Sequence, residues 1–206
     1  MVKTYIFIII CLFPGILLSQ NPDIRLLRSI NSPESLPSDR FFRFISDSHG
    51  YLVIGIPVVS GAAGLIRHND PVKIMAFEMI AAAAVNFGIT TALKYSINRE
   101  RPFITYPDIV KKSRAGSPSF PSGHTSSAFA AATSLSLSYP KWYIIIPSYT
   151  WAGTVGYSRM HLGVHYPSDV LAGAIAGSGS AWLTHVINKK LSLKSNKKPP
   201  MTYSCK

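Results

Sequence analysis

Apolar residues along this chain gather into five runs separated by shorter polar stretches. Tyr51–Ile66 is uninterrupted, and Ile74–Leu93 is longer but holds Glu78 and Asn86. Thr125–Tyr139 is rich in Ala and Ser, Trp142–Tyr157 contains Pro147, and Val170–Ile187 carries "GAIAGSGSAWLTHVI". None of the runs alternates with a period of two and turn signals between them are sparse, so the pattern predicts helices and an all-α helical bundle. A membrane span takes about 20 apolar residues, with roughly 17–25 as the range. Ile74–Leu93 and Val170–Ile187 meet that length; the shorter runs cross only with local thinning and flanking anchors. Tyr51, Tyr139, Trp142, Tyr143 and Trp182 stand near run ends, where interfacial aromatics belong. The pattern therefore points to an integral membrane bundle of five or six spanning helices, with a soluble exported bundle as the alternative. In the membrane reading Glu78 must face the bundle or sit near an edge.

The ends of the chain differ from its middle. Met1–Gln20, "MVKTYIFIIICLFPGILLSQ", has the layout of a secretory leader or a first membrane helix, and in either case the next segment is exported. Residues 21–50 are polar with mixed charges and are expected to form an external loop with short helical turns. The helical domain then covers residues 51–188, and residues 189–206, with "KKLSLKSNKKPP", form a basic tail, disordered or surface-bound. Only 15% of the 206 residues are charged, below the quarter usual for soluble domains. Among those, 21 Lys and Arg face 9 acids, for a net charge of +12. That balance suits an anionic partner: nucleic acid, an acidic membrane surface or a phosphorylated substrate. No zinc finger, RNA-binding signature or Arg-rich helix accompanies it, which argues for no nucleic acid. Cys11 and Cys205 make neither a metal site nor a disulfide framework.

Helix parity organises the chemistry. Two helices separate the loop Lys94–Gly123 from the loop Ser158–Ser168, so both emerge on one side and can meet. In "KYSINRERP", Lys94 and Arg101 are two helical turns apart and share a face if the helix continues, while Pro102 biases Arg101 out of helical geometry. Alone, this is a basic helix end complementing the helix dipole. In "PSGH", Ser122 or Gly123 can cap the next helix, and Gly123 lets an anion approach the open N–H groups. Alone, this is an ordinary N-cap followed by the surface histidine His124. In "SRMHLGVHYPSD", Asp169 lies one turn after His165 and can orient its imidazole; Arg159 stands six residues before it, and Pro167 suits a helix start. Together the three stretches bring two histidines, three cations and two helix N-termini to one place. Three fixed positive side chains share a small space only around an anion, and phosphate fits. No acidic cluster is present to hold a metal, so the protein's own cations would stabilise the transition state without a cofactor.

Lys94-(six residues)-Arg101-Pro102, then Pro121-Ser122-Gly123-His124, then Ser158-Arg159-(five)-His165-(three)-Asp169 resembles the three-part signature of the type-2 phosphatidic acid phosphatase and vanadium haloperoxidase superfamily. Order and spacings match without departure, over roughly Tyr51 to Asn188. The resemblance implies His165 as the nucleophile forming a phosphohistidine, Asp169 as its orienter and His124 as general acid. It also implies a phosphate cradle of Lys94, Arg101, Ser122, Gly123 and Arg159, with no metal. The expected substrate is a phosphorylated lipid, the expected location a bacterial inner membrane with the site facing the periplasm. Alternatives are a soluble periplasmic acid phosphatase, a vanadate-dependent haloperoxidase, and a phosphate- or lipid-binding protein without catalysis. His161 reads as a surface residue, Tyr157 and Tyr166 as packing, and Gly173 and Gly177 as a stripe permitting close helix contact. The loop Phe103–Phe120, with Tyr106, Lys111, Lys112 and Arg114, suggests a headgroup-facing lid or a solvated loop.

Overall fold

The computed structural model describes residues 22–195, with side chains to residue 191; the Met1–Gln20 leader, both cysteines and most of the basic tail lie outside the described residues. Among the described residues seven helices follow one another: α1 (Pro22–Ile30), α2 (Ser38–Ile66), α3 (Asp70–Ile97), the one-turn α4 (Pro102–Thr105), α5 (Gly123–Ser138), α6 (Trp142–His161) and α7 (Pro167–Ser195). No strand occurs among the described residues.

α5 is the axis of the bundle, packed by α7, α6, α3 and α2. Its sequence explains the position. Ala128, Ala130, Ala131, Ala132, Thr133 and Ser134 are all buried, and side chains this small let neighbouring backbones approach. α7 answers with Gly173 and Gly177: a Cβ at Gly173 would stand 2.7 Å from the Ser122 carbonyl oxygen, and one at Gly177 would run into that of Ser126. The small-residue stripe is a helix-packing surface.

The outer helices are apolar on the outside. On α2, Tyr51, Ile54, Val59 and Ile66 are exposed, as are Phe77, Ile80 and Phe87 on α3 and Leu171, Ile175 and Trp182 on α7. Such a continuous exposed apolar surface marks contact with lipid. By length and composition, α2 (Ser38–Ile66), the segment Asp70–Thr105 that begins with α3, and Pro167–Leu191 of α7 can cross a membrane. Glu78 faces inward as expected, 8% exposed, accepting a hydrogen bond from Asn188 and standing 3.1 Å from His185 Nδ1 on α7.

Two segment readings are corrected. Residues 38–50 are no loop: α2 starts at Ser38, after Pro37, and continues unbroken into the apolar run. Its inward side carries Asp39 and Ser46, while Phe41 and Phe44 point out alongside Arg40, Arg43 and Asp47. At the other end α7 continues past Asn188 to Ser195, because Lys and Leu are good helix formers.

Candidate active site

Asn98 decides the first part of the site. It ends α3 in the left-handed conformation (φ 47°, ψ 41°), which Asn tolerates, so the helix does not continue to Arg101. The shared helix face expected of Lys94 and Arg101 is therefore absent. Lys94 stays on the last turn of α3, while Pro102 holds Arg101 in extended backbone (φ −78°, ψ 150°) and the chain swings it back. Lys94 Nζ donates to the Pro118 carbonyl at 2.6 Å. Arg101 donates through Nε to the Ser117 carbonyl at 2.8 Å and through a terminal nitrogen to the Val164 carbonyl at 2.7 Å.

The second part is the mouth of α5. Ser122 occupies the N-cap but makes no capping bond with its side chain; it is fully buried and its hydroxyl accepts from Thr125 at 2.8 Å. The first N–H groups of α5 are thus left for another acceptor. A Cβ on Gly123 would project toward Lys94, 3.9 Å from its Cε. His124, half-buried, stacks against His49 of α2 with ring centroids 3.8 Å apart, and His49 Nδ1 lies 2.9 Å from the Ser46 carbonyl.

The third part is the end of α6 and the connection to α7, which starts at Pro167 as predicted. Arg159 is 1% exposed, donating to the Ser46 hydroxyl and, at 3.4 Å, to that of Ser113. Its Nε is buried without a hydrogen-bond partner. A buried, unsatisfied donor on a guanidinium is costly, and an anion in front of it removes the cost. His165 is 2% exposed; its Nε2 lies 3.2 Å from an Arg101 nitrogen and its Nδ1 lies 3.4 Å from Asp169 Oδ2. A guanidinium only donates, so Nε2 carries the lone pair and Nδ1 the hydrogen, which points to Asp169. Burial pushes the His165 imidazole below its ordinary value to about 3; Asp169 works against that shift and the Arg101 charge adds to it.

A cavity of about 280 Å³ joins these parts. Lys94, Arg101, Gly123, His124, Arg159 and His165 line it, with Arg114, Ala115, Gly116 and Ser117 closing one side. Ser122 and Asp169 lie behind the wall, linked by the Ser122 N–H to the Asp169 carbonyl at 3.0 Å. All eight residues picked from the sequence thus meet at one end of the bundle. Among the described residues no three His, Cys, Asp or Glu side chains gather as metal ligands.

Four contributors were not anticipated. Arg99 grips Asp169 Oδ1 at 2.8 Å and Asp23 of α1 at 2.8 Å, with its guanidinium 3.7 Å from the centre of the buried Tyr166 ring. Ser119 donates to Asp169 Oδ2 at 2.5 Å, closer than His165 comes. Ser46 and His49 arrive from the part of α2 taken for a loop. Only Arg99 carried a signal, as a third cation within "KYSINRERP" beside Lys94 and Arg101. His161 is corrected: it is 4% exposed, its Nε2 2.7 Å from Asp39. Lys112 is corrected too. It turns inward to Asp39 at 3.0 Å and the Glu34 carbonyl at 2.7 Å, and Asn31 bonds both the N–H and the carbonyl of Val110. The loop is strapped to the α1–α2 connection, and Tyr106 packs against the cluster of Ile24, Leu27, Ile109 and Tyr166.

Comparison with known proteins gives this end of the bundle a lineage. The chain is 36% identical over 104 residues to a lipid A 4'-phosphatase of Bacteroides thetaiotaomicron, a match covering 50% of this chain and 46% of that protein. It is 28% identical over 163 residues to an undecaprenyl-diphosphatase of Sulfolobus acidocaldarius, covering 79% and 76%. The chain thus spans under half the length of the first relative and about three quarters of the second. The crystal structure of Aquifex aeolicus LpxE superposes with a TM-score of 0.69 at 28% identity, covering 83% of this chain and 99% of that one. A transmembrane PAP2-type phosphatidylglycerolphosphate phosphatase from Bacillus subtilis shares the fold, with a TM-score of 0.70 at 22% identity over 92% and 96% of the two chains. The family model described as PAP2 superfamily matches residues 74–192, more than half of the chain and every cavity-lining position named above, and the chain belongs to that superfamily.

Proposed function

We propose that this chain is a membrane phosphatase that hydrolyses a lipid phosphate or diphosphate without a metal, through a phosphohistidine. One observation carries the reading: the lone pair of His165 Nε2 lies beside a guanidinium, at a cavity also lined by Lys94 and by Arg159, whose Nε is unpartnered. In the first step Nε2 forms a bond to phosphorus as the ester P–O bond breaks, and His124, protonated once the entering phosphate's charge offsets the Arg159 and Arg101 cations beside it, gives its proton to the departing oxygen. Lys94, Arg101, Arg159 and the N–H groups at Gly123 hold the charge of the phosphoryl oxygens. In the second step water attacks phosphorus, His124 takes the water's proton, and phosphate leaves with His165 neutral again. Asp169 holds the Nδ1 hydrogen throughout and stabilises the ring while it is charged.

A second cavity supports a lipid as the substrate. About 380 Å³ in size, it runs between α2 and α3, where Val53, Ile54, Ala83 and Phe87 line it, and it reaches Gly123 at its inner end. An apolar chain lying there keeps contact with the bilayer while its phosphate enters the cradle. The relatives' activities on lipid A and on undecaprenyl diphosphate agree with this class. The same reading places the protein in a bacterial inner membrane with the site on the periplasmic face, where an exported α1 would lie.

The test is phosphate release by the detergent-purified chain from phosphatidate, phosphatidylglycerol phosphate, undecaprenyl diphosphate and lipid A, with His165→Ala as control. At least one lipid is hydrolysed, and His165→Ala lowers the rate at least about a thousand-fold, as expected for loss of a nucleophile. Release that survives the substitution, or no release from any of the four, overturns the proposal.

A further inference from the structure

Beyond the phosphate cradle the structure holds a larger polar chamber that the reaction just described does not use. It measures about 750 Å³, within the roughly 300–1,000 Å³ usual for sites that enclose a small molecule. Arg43, Asp47, Lys111, Lys112 and Arg114 line it, and His124 forms its inner boundary. His124 and Arg114 also line the 280 Å³ cavity, so the two spaces adjoin at the general acid. That is where the leaving group of a phosphate ester must stand.

The charge of the chamber is uneven in a telling way. Lys112 is neutralised by Asp39, which leaves the cations Arg43, Lys111 and Arg114 against the single carboxylate of Asp47. All three cations are solvent-exposed. Two of them have fixed supports: Arg43 donates to the Lys112 carbonyl at 3.0 Å, and the Lys111 ammonium sits 4.6 Å from the centre of the Phe103 ring. The loop carrying Lys111 and Arg114 is itself held through Lys112 and Asn31. Cations on a strapped loop form a standing surface, where a flexible lid would have to be ordered at each encounter.

We infer that this chamber is a second anion subsite, which receives a bulky polar leaving group bearing its own phosphate, such as a bis-phosphorylated sugar headgroup on a lipid. The inference rests on the phosphatase reading and narrows its substrate. Size separates it from a plain diphosphate. The second phosphate of a diphosphate shares an oxygen with the first and stays beside the cradle, whereas this chamber exceeds the cradle's volume more than twofold. A sugar between two phosphates fills the room and carries its second charge to Arg43 and Lys111.

The test compares three substrates with the full chain in detergent: a bis-phosphorylated disaccharide lipid, the same lipid with one phosphate, and dioleoyl phosphatidate. The wild type prefers the bisphosphate over the monophosphate by about tenfold in kcat/KM. In Arg43→Gln/Lys111→Gln that preference disappears through a rise in KM, while kcat/KM for phosphatidate stays within twofold. Equal losses on all three substrates would mean that the cations only raise the local concentration of anions, and the subsite is refuted. An unchanged preference in the variant refutes it as well. Phosphatidate turnover abolished by His165→Ala keeps the phosphatase reading standing in either case, and its absence for all three lipids removes both ideas together.

Discussion

At the residue scale the proposed reaction turns on one imidazole that must reach phosphorus uncharged. The ring of His165 is nearly out of water and faces the Arg101 guanidinium, and both conditions disfavour a proton on it. The resulting shift, from the ordinary 6.5 to about 3, links folding to pH. Above pH 6.5 the ring is neutral in both the folded and the unfolded chain, so stability gains nothing from further alkali. Between 6.5 and about 3 the unfolded chain binds a proton at this position and the folded chain does not. Stability is therefore lost progressively as the pH falls through that window. His165→Asn removes the linkage, so the wild-type Tm should drop more steeply than the variant's between pH 6.5 and 4; parallel curves from thermal unfolding in one detergent would refute it. In the proposed reaction the same neutrality keeps the nucleophile competent in mild acid, and the acid limb of kcat/KM should have its His165 midpoint well below 6.5. Among the phosphate-holding groups, Arg159→Gln should cost roughly 10²–10³ in kcat, the range for removing one preorganised charge-stabilising donor. A loss under fivefold in a single-turnover measurement would show that the unpartnered Nε does not face the reacting anion.

At the scale of the elements, close packing of α5 against α7 sets where the chemistry sits. Ser122, Gly123 and His124 ride on the first turn of α5, and Gly173 lies under the Ser122 carbonyl with no room for a methyl group. Gly173→Ala should push that turn, costing about 1–3 kcal/mol as overpacking does and lowering kcat by more than the loss of folded protein explains. Gly179→Ala is the matched control: no atom lies within 4 Å of its Cβ, so Tm and activity should hold or rise slightly. Equal behaviour of the two variants would show that the α5–α7 contact does not position the site. These contacts also show which parts of the fold the sequence discloses. The apolar runs at Ile74–Leu93 and Val170–Ile187 place α3 and α7, but their polar ends extend beyond the runs because Asn69 caps α3 and Asn98 closes it in the left-handed region. The first half of α2 escapes notice for a different reason. Asp39 and Ser46 face protein there while Phe41 and Phe44 face outward beside the exposed Arg40, Arg43 and Asp47, so no clean amphipathic stripe marks a helix and the polarity reads as a loop. With that half went Ser46 and His49. Seven of the eight motif residues were legible because each stands at a helix end or beside a proline, where local rules apply, and His165 was legible through its one-turn spacing to Asp169. Arg99 and Ser119, which hold Asp169, depend on where the chain goes after Asn98, and no local pattern records that.

For the molecule as a whole, polarity is arranged by end. The site, α1 and the strapped loop occupy one end, and the α2–α3 connection with Arg67 and His68 occupies the other. α2, at 29 residues, covers about 43 Å between them, enough to cross the hydrocarbon core of a bilayer. If α2 spans, the connections at its two ends lie on opposite sides of the membrane. A leading segment that carries the following chain outward would put α1 and the site outside. Single cysteines report this directly in a Cys11→Ser/Cys205→Ser background. Ser35→Cys, exposed between α1 and α2, should react with a membrane-impermeant maleimide in intact cells whose outer barrier has been permeabilised. Arg67→Cys, exposed after α2, should react only once the inner membrane is broken. Reactivity of both in intact cells would mean that α2 does not span, and the reverse pattern would put the phosphate cradle on the cytoplasmic side.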